Sequence, residues 1–175
     1  IELYMQQKRN MPIGIQSFEA MRLGSYIYVD KTQFIPKLEV LGRAYFLARP
    51  RRFGKSLFLS TLQAYFEGRK ELFKGLAIEK YKEENGQEWQ NYPVLKLDLN
   101  TGDYKDIQEL NNVLDAHIKD WCNQFGLEQQ SCTAHLNFAY IIKSLYKKYN
   151  QKVVILVDEY DKPLLATLEN DGLQE

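Results

Sequence analysis

The tripeptide Gly54–Lys55–Ser56, at the end of RPRRFGKS (49–56), has the chemistry of an anion cradle. Glycine lets backbone N–H groups approach a phosphate closely, a lysine ammonium reaches β- and γ-phosphate oxygens, and a serine hydroxyl can ligate Mg²⁺. Such a loop works where it opens a helix, because unpaired N–H groups and peptide dipoles at a helix N-terminus both favour negative charge. The triplet alone is a weak signal. Ordinary residue usage produces it by chance in about one chain in ten of this length, and its plain alternative is a solvated basic turn.

Far along the chain, VVILVDEYD (153–161) places Asp158 and Glu159 directly after an apolar, β-branched run. An acid at the end of a buried strand can hold Mg²⁺, and a carboxylate beside it can take a proton from a water attacking the γ-phosphate. A polar strand end facing solvent is the plain alternative. Together and in this order, the two motifs predict a nucleotide-binding site with Mg²⁺. Arg51, Arg52, Phe53, Gly54, Lys55, Ser56 and Leu57 are the expected nucleotide-binding segment, and Ser56 and Asp158 the metal ligands. Glu159, Lys55 and Arg52 are the expected catalytic residues.

The entrance of the loop departs from the GxxxxGK[ST] pattern. Arg49 stands where the first glycine belongs, and Pro50 follows, fixing φ at about −65° and removing a donor. Neither change touches Gly54, Lys55 or Ser56, so the loop is expected to enter by another path and keep its phosphate contacts at the end. Arg51 and Arg52 add planar, permanently charged donors. They either neutralise phosphate oxygens or serve as an in-cis arginine finger, or else pair with surface carboxylates.

These residues need elements to hold them. AYFLA (44–48) predicts a buried strand leading into the loop. Phe58, Leu59, Leu62, Tyr65 and Phe66 predict a helix leaving it, closed by Gly68. PVLKLDLN (93–100) alternates as a second strand. Ile107, Leu110, Leu114, Ile118, Trp121 and Phe125 form one helical stripe stopped by Gly126; Phe138, Ile141, Ile142, Leu145 and Tyr149 form another stopped by Asn150. KVVILVDE (152–159) predicts a strand buried on both faces. The alternation predicts an α/β fold of the P-loop NTPase type, a mostly parallel sheet flanked by helices. With three strands in view, the sheet is expected to be cut short after the strand that carries Asp158. Residues 1–10 read as an extension and 11–175 as a P-loop domain incomplete at its C-terminus. Ahead of the first strand, Asp30 or Thr32 is predicted to cap a helix through Phe34, Ile35 and Leu38 that ends at Gly42, with Pro36 in its first turn.

Composition narrows the classes. Lys+Arg and Asp+Glu both count 23, giving a formal net charge of zero, so general attraction to nucleic acid is not indicated. No run approaches the roughly 20 apolar residues that span a bilayer, and no signal core follows the N-terminus; a cytoplasmic protein is expected. Two cysteines, Cys122 and Cys132, make no disulfide framework. His117 and His135 have no acidic or cysteine partner at zinc-ligand spacing, and no GxSxG elbow is present.

With both motifs in view, the chain resembles the predicted AAA-ATPase-like family of bacterial proteins. PIGIQSFEAMR, YIYVDKT, YFLARPRRFGKSLFLSTL, YPVLKLDLN and VILVDEYDKP carry the resemblance, from Met11 to Leu168. It implies an ATP-binding domain with Lys55 and Ser56 in the loop and Asp158 and Glu159 as the acidic pair. It also makes Arg49 a habit of the family. Family members often continue into a region resembling a PD-(D/E)XK nuclease, so a further C-terminal domain of the same polypeptide and a homo-oligomer are the implied partners besides nucleotide. A sensor residue and a trans arginine finger would lie beyond Glu175. The expected function is Mg-dependent ATP hydrolysis that drives a conformational change in a larger protein. The alternative is a non-hydrolysing, nucleotide-gated interaction module of a nuclease-like or defence-related protein. By analogy with related ATPases, Ile13, Ile15 or Phe18 in the segment before the first strand would pack on adenine; the plain reading of YVDKT is capping by Asp30 and Thr32.

Overall fold

The computed structural model describes residues 10–41, 44–50 and 52–168; Gly42, Arg51 and most of the expected N-terminal extension lie outside them. The described residues divide after Asn91 into two units.

The regular elements among the described residues up to Asn91 are helices and 3-10 turns. α1 (Phe18–Leu23) begins at Ser17, whose hydroxyl accepts the Ala20 N–H at 3.2 Å, and it buries Phe18 and Met21. A 3-10 turn (Thr32–Phe34) runs into α2 (Ile35–Leu41), with Pro36 in the first turn as its missing N–H predicts. α3 (Lys55–Phe66) stops where expected: Gly68 is left-handed at φ 71° and donates its N–H to the Tyr65 carbonyl. A second 3-10 turn (Lys70–Phe73) leads to α4 (Ala77–Glu84). The core is aromatic. Phe73 lies 4.9 Å from Phe18 and 5.2 Å from Trp89 between ring centroids, and Trp89 lies 5.5 Å from Tyr65. Lys82 is buried here. Its ammonium sits 5.2 Å from the Tyr65 ring and 5.6 Å from Trp89 and donates to the Glu88 carbonyl, which together replace the water it has lost.

The strand expected at 44–48 is not there. Residues 44–50 have no regular structure and all are exposed. A strand needs a hydrogen-bonding neighbour, and the described part of this unit supplies only an isolated bridge between Asn10 and Tyr26. Apolar content cannot by itself hold a short segment extended and covered.

Residues 92–168 form an α/β unit. β1 (Val94–Asp98) and β2 (Val154–Asp158) pair in parallel, in register from Val94↔Val154 to Asp98↔Asp158. Parallel strands need a long crossover, and α5 (Ile107–Phe125) and α6 (Ala134–Tyr149) provide it. Leu95, Ile118, Trp121, Cys122, Ile141 and Leu145 form the core. Both predicted helix stops are present: Gly126 at φ 62° ends α5 and Asn150 at φ 49° ends α6. Between those helices Asn137, 1% exposed, accepts the Gln130 N–H and donates to the carbonyls of Gln130 and Cys132. α7 (Asp161–Leu168) follows β2.

β2 differs from expectation in its burial. Leu156 is covered, but Ile155 and Val157 are 41% and 39% exposed. Ile155 and Val157 alternate onto one face of β2, and among the described residues that face is only partly covered, so the β-branched run is not enclosed on both faces.

Candidate functional site

The loop of the first unit ends in a left-handed turn. Arg52 has φ 66° and Gly54 φ 75°, and α3 starts at the next residue, Lys55, with Ser56 and Leu57 in its first turn. A Cβ on Gly54 would meet no atom within 4 Å, so glycine is required there by backbone angle and not by crowding. Gly54 offers the helix no side-chain cap, and the first turn contains no acidic residue. Helix N-termini ordinarily attract Asp or Glu to complement the dipole. This one carries a lysine instead, with Arg52 just ahead of it. Positive end and positive side chains together are a mismatch that a bound anion removes. Arg52, Phe53 and Gly54 are exposed, and Lys55, Ser56 and Leu57 half-buried, so the segment faces solvent. Of the residues predicted for this part of the site, all but Arg51, which lies outside the described residues, fall on this one turn.

The acidic half occupies the end of β2. Asp158 is buried, and one of its carboxylate oxygens accepts the Glu159 N–H at 3.1 Å. Glu159 is left-handed at φ 54°, a conformation that costs a non-glycine residue about 1–2 kcal/mol. The Glu159 carbonyl accepts the Lys162 N–H at 3.1 Å, which ties the strand end to the first turn of α7. A strained glutamate directly after a buried aspartate is the kind of backbone outlier that concentrates at working sites.

Asp98 escaped the sequence reading. It closes β1 as Asp158 closes β2, and the two are register partners on strands about 4.8 Å apart. Its carboxylate accepts the Asn100 N–H at 2.9 Å, while its carbonyl meets His117 Nε2 at 3.0 Å. The signal was the acid ending PVLKLD, visible only once the two strands were known to be neighbours.

YVDKT resolves toward capping, on a helix the sequence could not name. Asp30 Oδ1 accepts both the N–H and the hydroxyl of Thr32, at 2.8 and 2.7 Å. Asp30 Oδ2 accepts the Ala77 N–H at 2.7 Å, and Thr32 Oγ1 accepts that of Ile78 at 3.1 Å. These are the first two donors of α4, which no intrahelical carbonyl can satisfy. Phe18, one of the residues expected against adenine, is instead wholly buried against Tyr28 and Phe73, because the aromatic core claims its ring.

The family model described as Predicted AAA-ATPase matches residues 12–175. The chain is also similar to an "Uncharacterized protein in vnfD 5'region" of Azotobacter chroococcum mcd 1, at 39% identity over 166 residues. That match covers 92% of this chain and 31% of the relative, so the chain spans about a third of that protein's length. No solved structure matches. Among the described residues, no helix is long and apolar enough to cross a membrane.

Proposed function

Because the chain belongs to the predicted AAA-ATPase family, we propose that it binds ATP with Mg²⁺ and hydrolyses it. The observation that carries this reading is the turn at Arg52–Ser56: a left-handed glycine opens an uncapped helix whose first turn is basic where acids are usual. Gly54, Lys55, Ser56 and Leu57 present N–H groups to the phosphates, Lys55 and Arg52 neutralise their charge, and Phe53 lies against the nucleotide. Arg51 joins Arg52 in this role. Ser56 in the first unit and Asp158 in the second each offer a hard oxygen donor, a hydroxyl and a carboxylate, of the kind Mg²⁺ takes. Bound Mg²⁺ supplies charge neutralisation at the phosphate oxygens.

Glu159 is the base. It takes a proton from water as the water oxygen bonds to the γ-phosphorus and the bond to the bridging oxygen breaks, leaving ADP and inorganic phosphate. The energy drives a conformational change in the larger protein, in a homo-oligomer or through a C-terminal domain of the same polypeptide.

Calorimetric titration with ATP, with and without Mg²⁺, tests the site. Lys55→Ala is expected to abolish binding; wild-type affinity in that variant refutes it. Glu159→Gln is expected to keep binding and lose phosphate release. Tight binding with no phosphate release in the wild-type protein favours the nucleotide-gated interaction module instead.

A further inference from the structure

We infer that Tyr28, Asp30 and Thr32 are positioning residues for the phosphate loop, an inference that rests on the nucleotide reading of Gly54–Ser56. The loop is exposed along 44–50 and has no regular structure there, and the Tyr45 hydroxyl donates to the Leu38 carbonyl of α2 at 2.7 Å, so its geometry follows how α2 and α3 are held. α2 delivers the chain to it and α3 carries the chain away.

Both ends trace back to YVDKT. Asp30 grips Thr32 through two hydrogen bonds, and the 3-10 turn that Thr32 begins runs directly into α2. The same two side chains are anchored from the other side by the N–H groups of Ala77 and Ile78. Thr32 is fully buried and Ile35, the first residue of α2, is too, so the start of α2 has no freedom to shift. On the exit side, the Tyr28 hydroxyl lies 3.4 Å from that of Thr61 on α3, which in turn donates to the Leu57 carbonyl at 2.9 Å. Leu57 belongs to the first turn of α3, the turn that begins with Lys55. A second tie joins entrance to exit: Tyr65 on α3 donates to Glu39 on α2 at 2.9 Å.

The segment is therefore a bracket. It sets the origin of α2 and reaches the first turn of α3, which fixes the span that the loop between them must bridge. A shift of an ångström in that span moves the N–H groups that are to meet phosphate, and misplacement on that scale weakens recognition out of proportion to any change in overall fold.

The test uses the whole chain and two measurements, ATP affinity by calorimetry and unfolding by urea. Thr32→Val removes the hydroxyl at nearly constant shape. Its ATP Kd is expected to rise about tenfold at a temperature where circular dichroism shows the native fold, and Thr32→Ser to restore it to within about twofold. Tyr28→Phe, which keeps the ring in the core and serves if Thr32→Val does not fold, is expected to raise Kd about threefold. A purely structural role would lower the urea midpoint and leave Kd unchanged in the folded variants. That result, with binding still lost in Lys55→Ala, overturns this inference alone. Wild-type protein that binds no ATP, or Lys55→Ala that binds it normally, removes the phosphate site and the bracket together.

Discussion

Left-handed backbone occurs in both halves of the proposed chemistry, at Gly54 (φ 75°) and at Glu159 (φ 54°), and the two residues answer it differently. Glycine takes the angle freely. Nothing lies near the Cβ that Gly54→Ala would add, so the cost of that change is backbone strain alone, about 1–2 kcal/mol by urea denaturation. Glu159 bears the strain in the wild type. Glu159→Gly should relieve it and, after the extra chain entropy of glycine, raise stability by about 0.5 kcal/mol. Phosphate release should be lost in the same variant while ATP binding persists. A residue kept in a costly conformation, whose removal stabilises the fold and ends turnover, is retained for its chemistry. The residue types were legible beforehand and the left-handed turn at Glu159 was not. Gly54, Lys55, Ser56, Asp158 and Glu159 declare themselves by type and order. Asp98 does not, because its relation to Asp158 is a matter of strand pairing.

Among the elements, legibility followed the range of the interaction. α3, α5 and α6 were readable because the stripe and the stop of a helix lie within a few turns of one another, as with Gly68, Gly126 and Asn150. The segment 44–48 was not, since its apolar letters say nothing about whether a neighbouring strand exists. α4 is an instructive intermediate. Its cap comes from Asp30, which is 47 positions from Ala77, so a local search for the capping residue finds nothing. The α5–α6 connection depends on Asn137 in the same non-obvious way. Asn137→Ala takes the partner from the Gln130 N–H and the Cys132 carbonyl, while the Gln130 carbonyl keeps the Cys132 N–H, and is expected to cost about 1–3 kcal/mol. Leu145→Ala, at a fully buried site in the same core, should cost about 2–5 kcal/mol. Urea unfolding of both variants checks the order: the cavity should cost at least as much as the lost clamp.

At the scale of the molecule, the described residues contain three groups that burial holds in the protonated form. The Cys122 thiol and the Tyr28 and Tyr104 hydroxyls are all pushed up, in each case chiefly by desolvation. The unfolded chain gives up these protons at lower pH than the folded one, so above the unfolded values it binds fewer protons and stability falls as pH rises. The contribution is fully present below about pH 9, the ordinary value for a cysteine thiol, and is lost progressively past it and past 10.0, the ordinary value for a tyrosine hydroxyl. Urea midpoints measured from pH 7 to 11 should therefore decline at the alkaline end. The two thiols should also differ. Cys132 is exposed and should react with a thiol reagent in the native protein, whereas Cys122 should react only after unfolding.

The placement of the indoles has a practical result. The sequence contains two tryptophans, Trp89 in the aromatic core of the first unit and Trp121 in the core of the second. Each half thus carries one indole, and Trp89 has an ammonium beside its ring that its counterpart lacks among the described contacts. Replacing either with phenylalanine leaves a single indole, so with excitation selective for tryptophan the melting of each half, and any optical response to nucleotide, can be recorded separately in the intact chain.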